Sequence, residues 1–162
     1  MTEPAPIHDP AALTRHIETR YHARCREELP PLAKMAEKVE AVHAGDEHVP
    51  KGLAEILRCL IGEMEVHMKK EELILFPAIR RGGMPGIENP IAVMRADHDS
   101  HDHEVAEIRR LTHDLTLPEG ACRTWTALYE GLTEFIGDLR EHIRLENEVL
   151  FPQFEAGGGA NV

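Results

Sequence analysis

A chain of 162 residues is the length of one domain with a sizeable core. Its composition, 42% hydrophobic and 29% charged with only 4% aromatic residues, is that of an ordinary globular protein, and the weight of Ala, Leu, Glu and Arg favours helix. With 18 basic against 29 acidic residues the formal charge is -11, which excludes the basic face that a nucleic-acid binder needs. No apolar run is long enough to span a bilayer, and Met1–Pro10 lacks the basic-then-apolar pattern of a signal peptide. The expectation is therefore a cytoplasmic protein with neither nucleic acid nor membrane as partner. Cys25, Cys59 and Cys122 are odd in number and contain no Cys-x-x-Cys pair, so neither a disulfide framework nor a structural zinc site is indicated. Histidine, with 11 copies, is the residue type that stands out.

Residues 1–9 read as a flexible N-terminal segment, 10–155 as the folded domain, and 156–162, with Gly157-Gly158-Gly159, as a flexible tail. Apolar residues recur at helical spacing in four segments. The first, 10–44, carries Ile17, Tyr21, Cys25, Leu29, Leu32, Ala36 and Val39 on one stripe. Pro30-Pro31 interrupts it, and because the stripe keeps its phase without a polar turn cluster, a kink is expected rather than a break. The second runs from about Pro50 through Leu57, Leu60 and Met64 to Arg80, ahead of Gly82-Gly83. The third opens at Asn89-Pro90 and continues to about Leu115, and the fourth runs from Pro118-Glu119 to about Phe154. Four long helices with short connections predict an all-α, up-down-up-down four-helix bundle.

Two stretches share a pattern. His67-Met-Lys-Lys-Glu71-Glu-Leu-Ile-Leu75-Phe76-Pro77 and His142-Ile-Arg-Leu-Glu146-Asn-Glu-Val-Leu150-Phe151-Pro152 both read His, three residues, Glu, three residues, Leu-Phe-Pro. Residues four apart lie on one helical face, so each stretch projects an imidazole and a carboxylate in the same direction. His22 precedes His67 by 45 residues and His98 precedes His142 by 44, so each helix pair offers one histidine on its first helix and a His/Glu couple on its second. At about 1.5 Å rise per residue, counting from the turns brings all four histidines and both glutamates toward mid-bundle.

Two carboxylates and four imidazoles facing an apolar core are costly unless a cation binds them. Imidazole favours iron, zinc or copper, while carboxylates can span two centres, so a pair of first-row transition ions fits this set. Ferritin-like sites use four glutamates with Glu-x-x-His pairs; His first with Glu four later favours the hemerythrin type of di-iron site.

The chain resembles hemerythrin-like cation-binding domains, and most closely the di-iron repair-of-iron-centres family. The resemblance covers nearly the whole domain: YHARCREELPPL around His22, VEAVHAGDEHVPKGL, HMKKEELILFPAI, PIAVMRADHD, CRTWTALYEGL and HIRLENEVLFPQF. It implies two irons held by His22, His67, His98 and His142, bridged by Glu71 and Glu146 beside an oxo or hydroxo group. It also implies a role in nitrosative and oxidative stress, with nitric oxide or oxygen as small ligand and damaged iron-sulfur proteins as iron acceptors. Two departures stand against the family pattern. Family members usually carry a small N-terminal cysteine-bearing domain, and the expectation here is a chain that starts at the bundle. The third segment reads Asp97-His98-Asp99-Ser100-His101-Asp102-His103, which leaves room for a fifth nitrogen from His101 or an oxygen from Asp102.

The rival readings are a reversible oxygen or nitric oxide carrier or sensor, a catalyst of nitric oxide or peroxide chemistry, and a metal-free helical interaction protein; one ligand set serves the first two alike. His43 lies 21 residues beyond His22, about 30 Å along a continuous helix, and is expected at a helix end instead. His8, His16, His48, His103 and His113 are expected on the surface, and Cys25, Trp125 and Tyr129 in the core.

Overall fold

The computed structural model describes residues 4–155, so the expected tail at 156–162 lies outside the described residues, as do residues 1–3. Among the described residues, four long helices run antiparallel. The first comprises Pro10–Ile17, a wide π-helical turn at Glu18–His22, and Ala23–Val42. The second comprises Leu53–Lys70, a π turn at Glu71–Leu75, and Phe76–Arg80. The third is Glu88–Leu111, and the fourth is Arg123–Arg144, followed by a π turn at Leu145–Leu150 and a 3-10 turn at Phe151–Gln153.

The caps follow from local chemistry. Asp9 accepts the amide of Ala12 at 3.1 Å ahead of Pro10, whose missing N–H is harmless in the first turn. The second helix begins at Leu53, three residues later than the pattern suggested. Its free amides at Gly52 and Ala54 donate to the Glu40 carboxylate at 2.8 Å, so the first helix caps the second. Gly52 takes φ 96 there. The fourth helix also starts later than expected, at Arg123, with Cys122 as its cap; Pro118-Glu119 belongs to the preceding loop. The third ends at Leu111, before the left-handed run His113-Asp114-Leu115.

Pro30 and Pro31 do not break the first helix. Both are exposed, so water can take the carbonyls they leave unpaired. At the opposite end, Arg80 donates to Thr14 Oγ1 at 3.0 Å and to Glu18, tying the second helix to the start of the first.

The buried apolar residues form two clusters rather than one. One gathers Leu29, Leu32, Leu57, Leu60, Met64, Trp125, Leu128 and Leu132; the other gathers Leu13, Ile17, Leu75, Phe76, Ile91, Met94, Leu150 and Phe151. Between them lies a layer of buried polar side chains: His22, His67, Glu71, His98, His101, His142 and Glu146. The three π turns sit at this layer.

Candidate metal centre

All six candidate residues, four from the paired motif with His22 and His98 from their spacing to it, converge in the polar layer. Ligand atoms of His22, Glu71, His142 and Glu146 lie within 4.8 Å of one another, as do those of His67, Glu71, His98 and Glu146. Both carboxylates belong to both groups, and each group takes one histidine from each helical hairpin. Every one of the six is almost fully buried.

Of the three wide turns, the two that present Glu71 and Glu146 have a cause in the repeat. Pro77 and Pro152 would each clash with the carbonyl four residues back, at Leu73 and Glu148, in a regular α-helix. Both carbonyls fall inside the π turns, where the backbone is widened. The Leu-Phe-Pro element therefore accompanies a local unwinding next to each glutamate.

The imidazoles are held by their outer nitrogens. His22 Nδ1 donates to Glu72 at 2.7 Å, His67 Nδ1 to Asp97 at 3.0 Å, and His98 Nδ1 to Asn147 Oδ1 at 2.8 Å. An ionised carboxylate only accepts, so Nδ1 carries the proton and the Nε2 lone pair faces the centre. Glu72 is itself clamped by Arg26 at 2.8 and 3.0 Å, and its carboxyl lies below the usual range because the Arg26 and His22 hydrogen bonds outweigh burial. Phe76 stacks on His22 and Phe151 on His98, with ring centroids 5.8 and 6.0 Å apart. Glu72, Asp97 and Asn147 were not singled out from the sequence. Glu72 and Asn147 each follow a motif glutamate directly and reach the preceding helix's histidine, a regularity visible in the repeat once its partner helix is known.

The donor set fits a cation. Nε2 of His67 and His98, Oε2 of Glu71 and Oε1 of Glu146 are buried without a hydrogen-bond partner. His98 Nε2 stands 2.8 Å from Glu146 Oε1 and His67 Nε2 stands 3.6 Å from Glu71 Oε2, yet neither pair is aligned as a hydrogen bond. In the other half the contacts are direct, with His22 Nε2 3.0 Å from Glu71 Oε1 and His142 Nε2 2.8 Å from Glu146 Oε2; the four unpartnered atoms of the His67/His98 half are costly in a bare core. Burial and the facing Glu146 charge push the Glu71 carboxyl well up, the response of a carboxylate cluster lacking its counter-charge.

His101 and Asp102 separate. Asp102 is exposed, which removes it as an oxygen donor. His101 is 3% exposed with its ring 5.1 Å from that of His67, but it belongs to neither four-residue group, and its Nδ1 has no hydrogen-bond partner. It borders an open groove of about 530 Å³ that also includes Glu63, Lys70 and Asp97. His43 caps the end of the first helix, as expected of it, and is outside the centre. His8, His48, His103 and His113 are exposed, whereas His16 is half-buried with its ring against Tyr21. Cys25, Trp125 and Tyr129 are buried in the larger apolar cluster.

The family model described as hemerythrin HHE cation binding domain matches residues 13–154. The chain is also similar to proteins named iron-sulfur cluster repair protein YtfE from Yersinia pseudotuberculosis serotype O:1b (strain IP 31758) and Yersinia pestis (strain Pestoides F). Each is 51% identical over 141 residues, which cover 87% of this chain and 64% of the relative. The chain thus spans a little under two thirds of the length of these relatives.

Proposed function

The chain belongs to the hemerythrin HHE cation-binding family, and from that premise we propose that its metal site holds two irons and that the protein serves iron-sulfur cluster repair under nitrosative and oxidative stress. His22 and His142 would hold one iron and His67 and His98 the other, with Glu71 and Glu146 bridging. The observation that carries this reading is the sharing of both carboxylates by the two groups. Carboxylate bridges with imidazole termini suit iron, and half of the bundle's residues are identical to those of relatives named for cluster repair. Two irons bound there supply a coordination position for a small diatomic and a store of releasable metal. The residues present do the rest: Glu72, Asp97 and Asn147 fix imidazole orientation, and the flanking apolar clusters keep bulk water from the centre. The iron acceptor would be a damaged iron-sulfur protein. Incubating the iron-loaded chain with an apo iron-sulfur protein and sulfide, without oxygen, should restore cluster absorbance as iron leaves the chain; loaded protein that restores none would overturn the repair role.

A second reading, a reversible oxygen or nitric oxide carrier or sensor, is favoured by one observation. His101 sits at the groove beside the His67/His98 half, where a small ligand can approach. It predicts a ligand complex that forms and reverses with iron content unchanged.

A further inference from the structure

At the other end of the first helix, about 30 Å from His22 by helical rise, a second imidazole meets a thiol. His43 Nε2 lies 3.2 Å from Cys122 Sγ, and the His43 ring packs 4.7 Å from Trp125. Cys122 is the N-cap of the fourth helix, and its sulfur accepts the Trp125 amide at 3.4 Å. Two helix ends thus bring to one sulfur an imidazole, an amide donor and the positive end of a helix dipole. Cysteine is outside the usual capping set of Ser, Thr, Asp and Asn, so the cap alone does not account for sulfur here. Cys122 is half-buried, whereas Cys25 is closed within the core, where burial pushes its thiol up to about 12. The Trp125 amide and the His43 imidazole move the Cys122 thiol the opposite way, below its ordinary value.

We propose that Cys122 and His43 form a nucleophilic thiol–imidazole pair, a modification site for low-molecular-weight disulfides of the glutathione type, separate from the metal centre. His43 Nε2 takes the thiol proton, and the Cys122 thiolate attacks one sulfur of the disulfide. A bond from Cys122 Sγ to that sulfur forms as the original S–S bond breaks. The second sulfur leaves with the electron pair and takes up the proton from His43. Cys122 ends oxidised in a mixed disulfide, and one equivalent of small thiol is released.

The test uses the full iron-loaded chain, handled without oxygen and exposed to oxidised glutathione between pH 5 and 9, with each adduct assigned by peptide mass. Cys122 should be modified about tenfold faster than exposed Cys59 at pH 7, with a half-maximal rate below the value of about 8.5 for a free thiol. His43→Asn should slow Cys122 about tenfold and move its profile up toward 8.5, with iron content unchanged. Cys122→Ser should abolish the adduct and keep the helix, since serine caps well. Equal or faster modification of Cys59, or a Cys122 profile indifferent to His43→Asn, would overturn the pair. If His43→Asn fails to fold, the Cys122 profile in the native chain decides: a midpoint at or above about 8.5 sinks the proposal.

Discussion

The two hairpins are built on one plan and differ in how they hold their histidines. In the first, His22 is oriented by a carboxylate, Glu72, that Arg26 clamps from outside. In the second, the corresponding His98 is oriented by a neutral amide, Asn147, whose backbone carbonyl accepts from Arg95 at 3.0 Å. The phenylalanine stack is the same in both. The couple histidines differ as well: His67 is held by Asp97, while His142 stacks on Tyr21 with centroids 5.5 Å apart. The glutamates set the architecture, and their neighbours set the electrostatics of each half separately. A carboxylate partner makes an imidazole a stronger donor than an amide does, so the halves are not equivalent although the repeat lays out both.

The largest effect should come from what the hairpins share. Glu71→Ala with Glu146→Ala should take iron from about two per chain to none by metal analysis of protein prepared without oxygen; retained iron would break the bridged picture. Removing a histidine from one group should cost half. His22→Ala and His98→Ala should each leave about one iron, and the two survivors should differ spectroscopically, because different imidazoles remain. Below these comes the choice of orienting partner: Glu72→Ala and Asn147→Ala should weaken iron binding by about 10–100-fold in chelator competition, with the larger loss at Glu72. Glu72→Asn should narrow the difference between halves.

The smallest effect concerns pH in the metal-free chain, where the halves should oppose one another. Burial, aided by His142, lowers His22 to about 4, so its contribution to stability is complete above about 6.5 and is lost as pH falls toward 4. That amounts to about 2 kcal/mol between pH 7 and 5, read as a shift in urea midpoint. His98 is raised, because burial, which would lower it, is outweighed by the Glu146 carboxylate 2.8 Å away and by the Asn147 contact. Its contribution is therefore present at low pH and fades as pH rises through its folded value. His22→Gln should flatten the acid limb, and His98→Gln should steepen it.

Much of this was legible in the sequence because duplication made it so. The four helices and the convergence of six side chains follow from a period of 3.6 and a repeated His-x-x-x-Glu. Helix starts at Leu53 and Arg123 were misjudged because Glu40 and Cys122 supply caps from outside the usual signals. The orienting residues escaped notice because Glu72 and Asn147 act across to another helix, and single-helix periodicity carries no information about that reach. Asp102 was a plausible donor by spacing alone; one residue further round the helix than His101, it faces solvent.

The wide turns carry a consequence for how the domain can change. A π turn fits an extra residue into a helix, and so advances everything beyond it by roughly a third of a rotation relative to a regular spiral. Three of the four helices make that correction at the polar layer, so the apolar stripe on one side need not be in phase with the stripe on the other. The turns act as joints between two independently indexed cores. Substitutions in the Leu57–Leu132 cluster and in the Phe76–Phe151 cluster should therefore be additive in stability, with the layer of histidines and glutamates as an insulating seam between them.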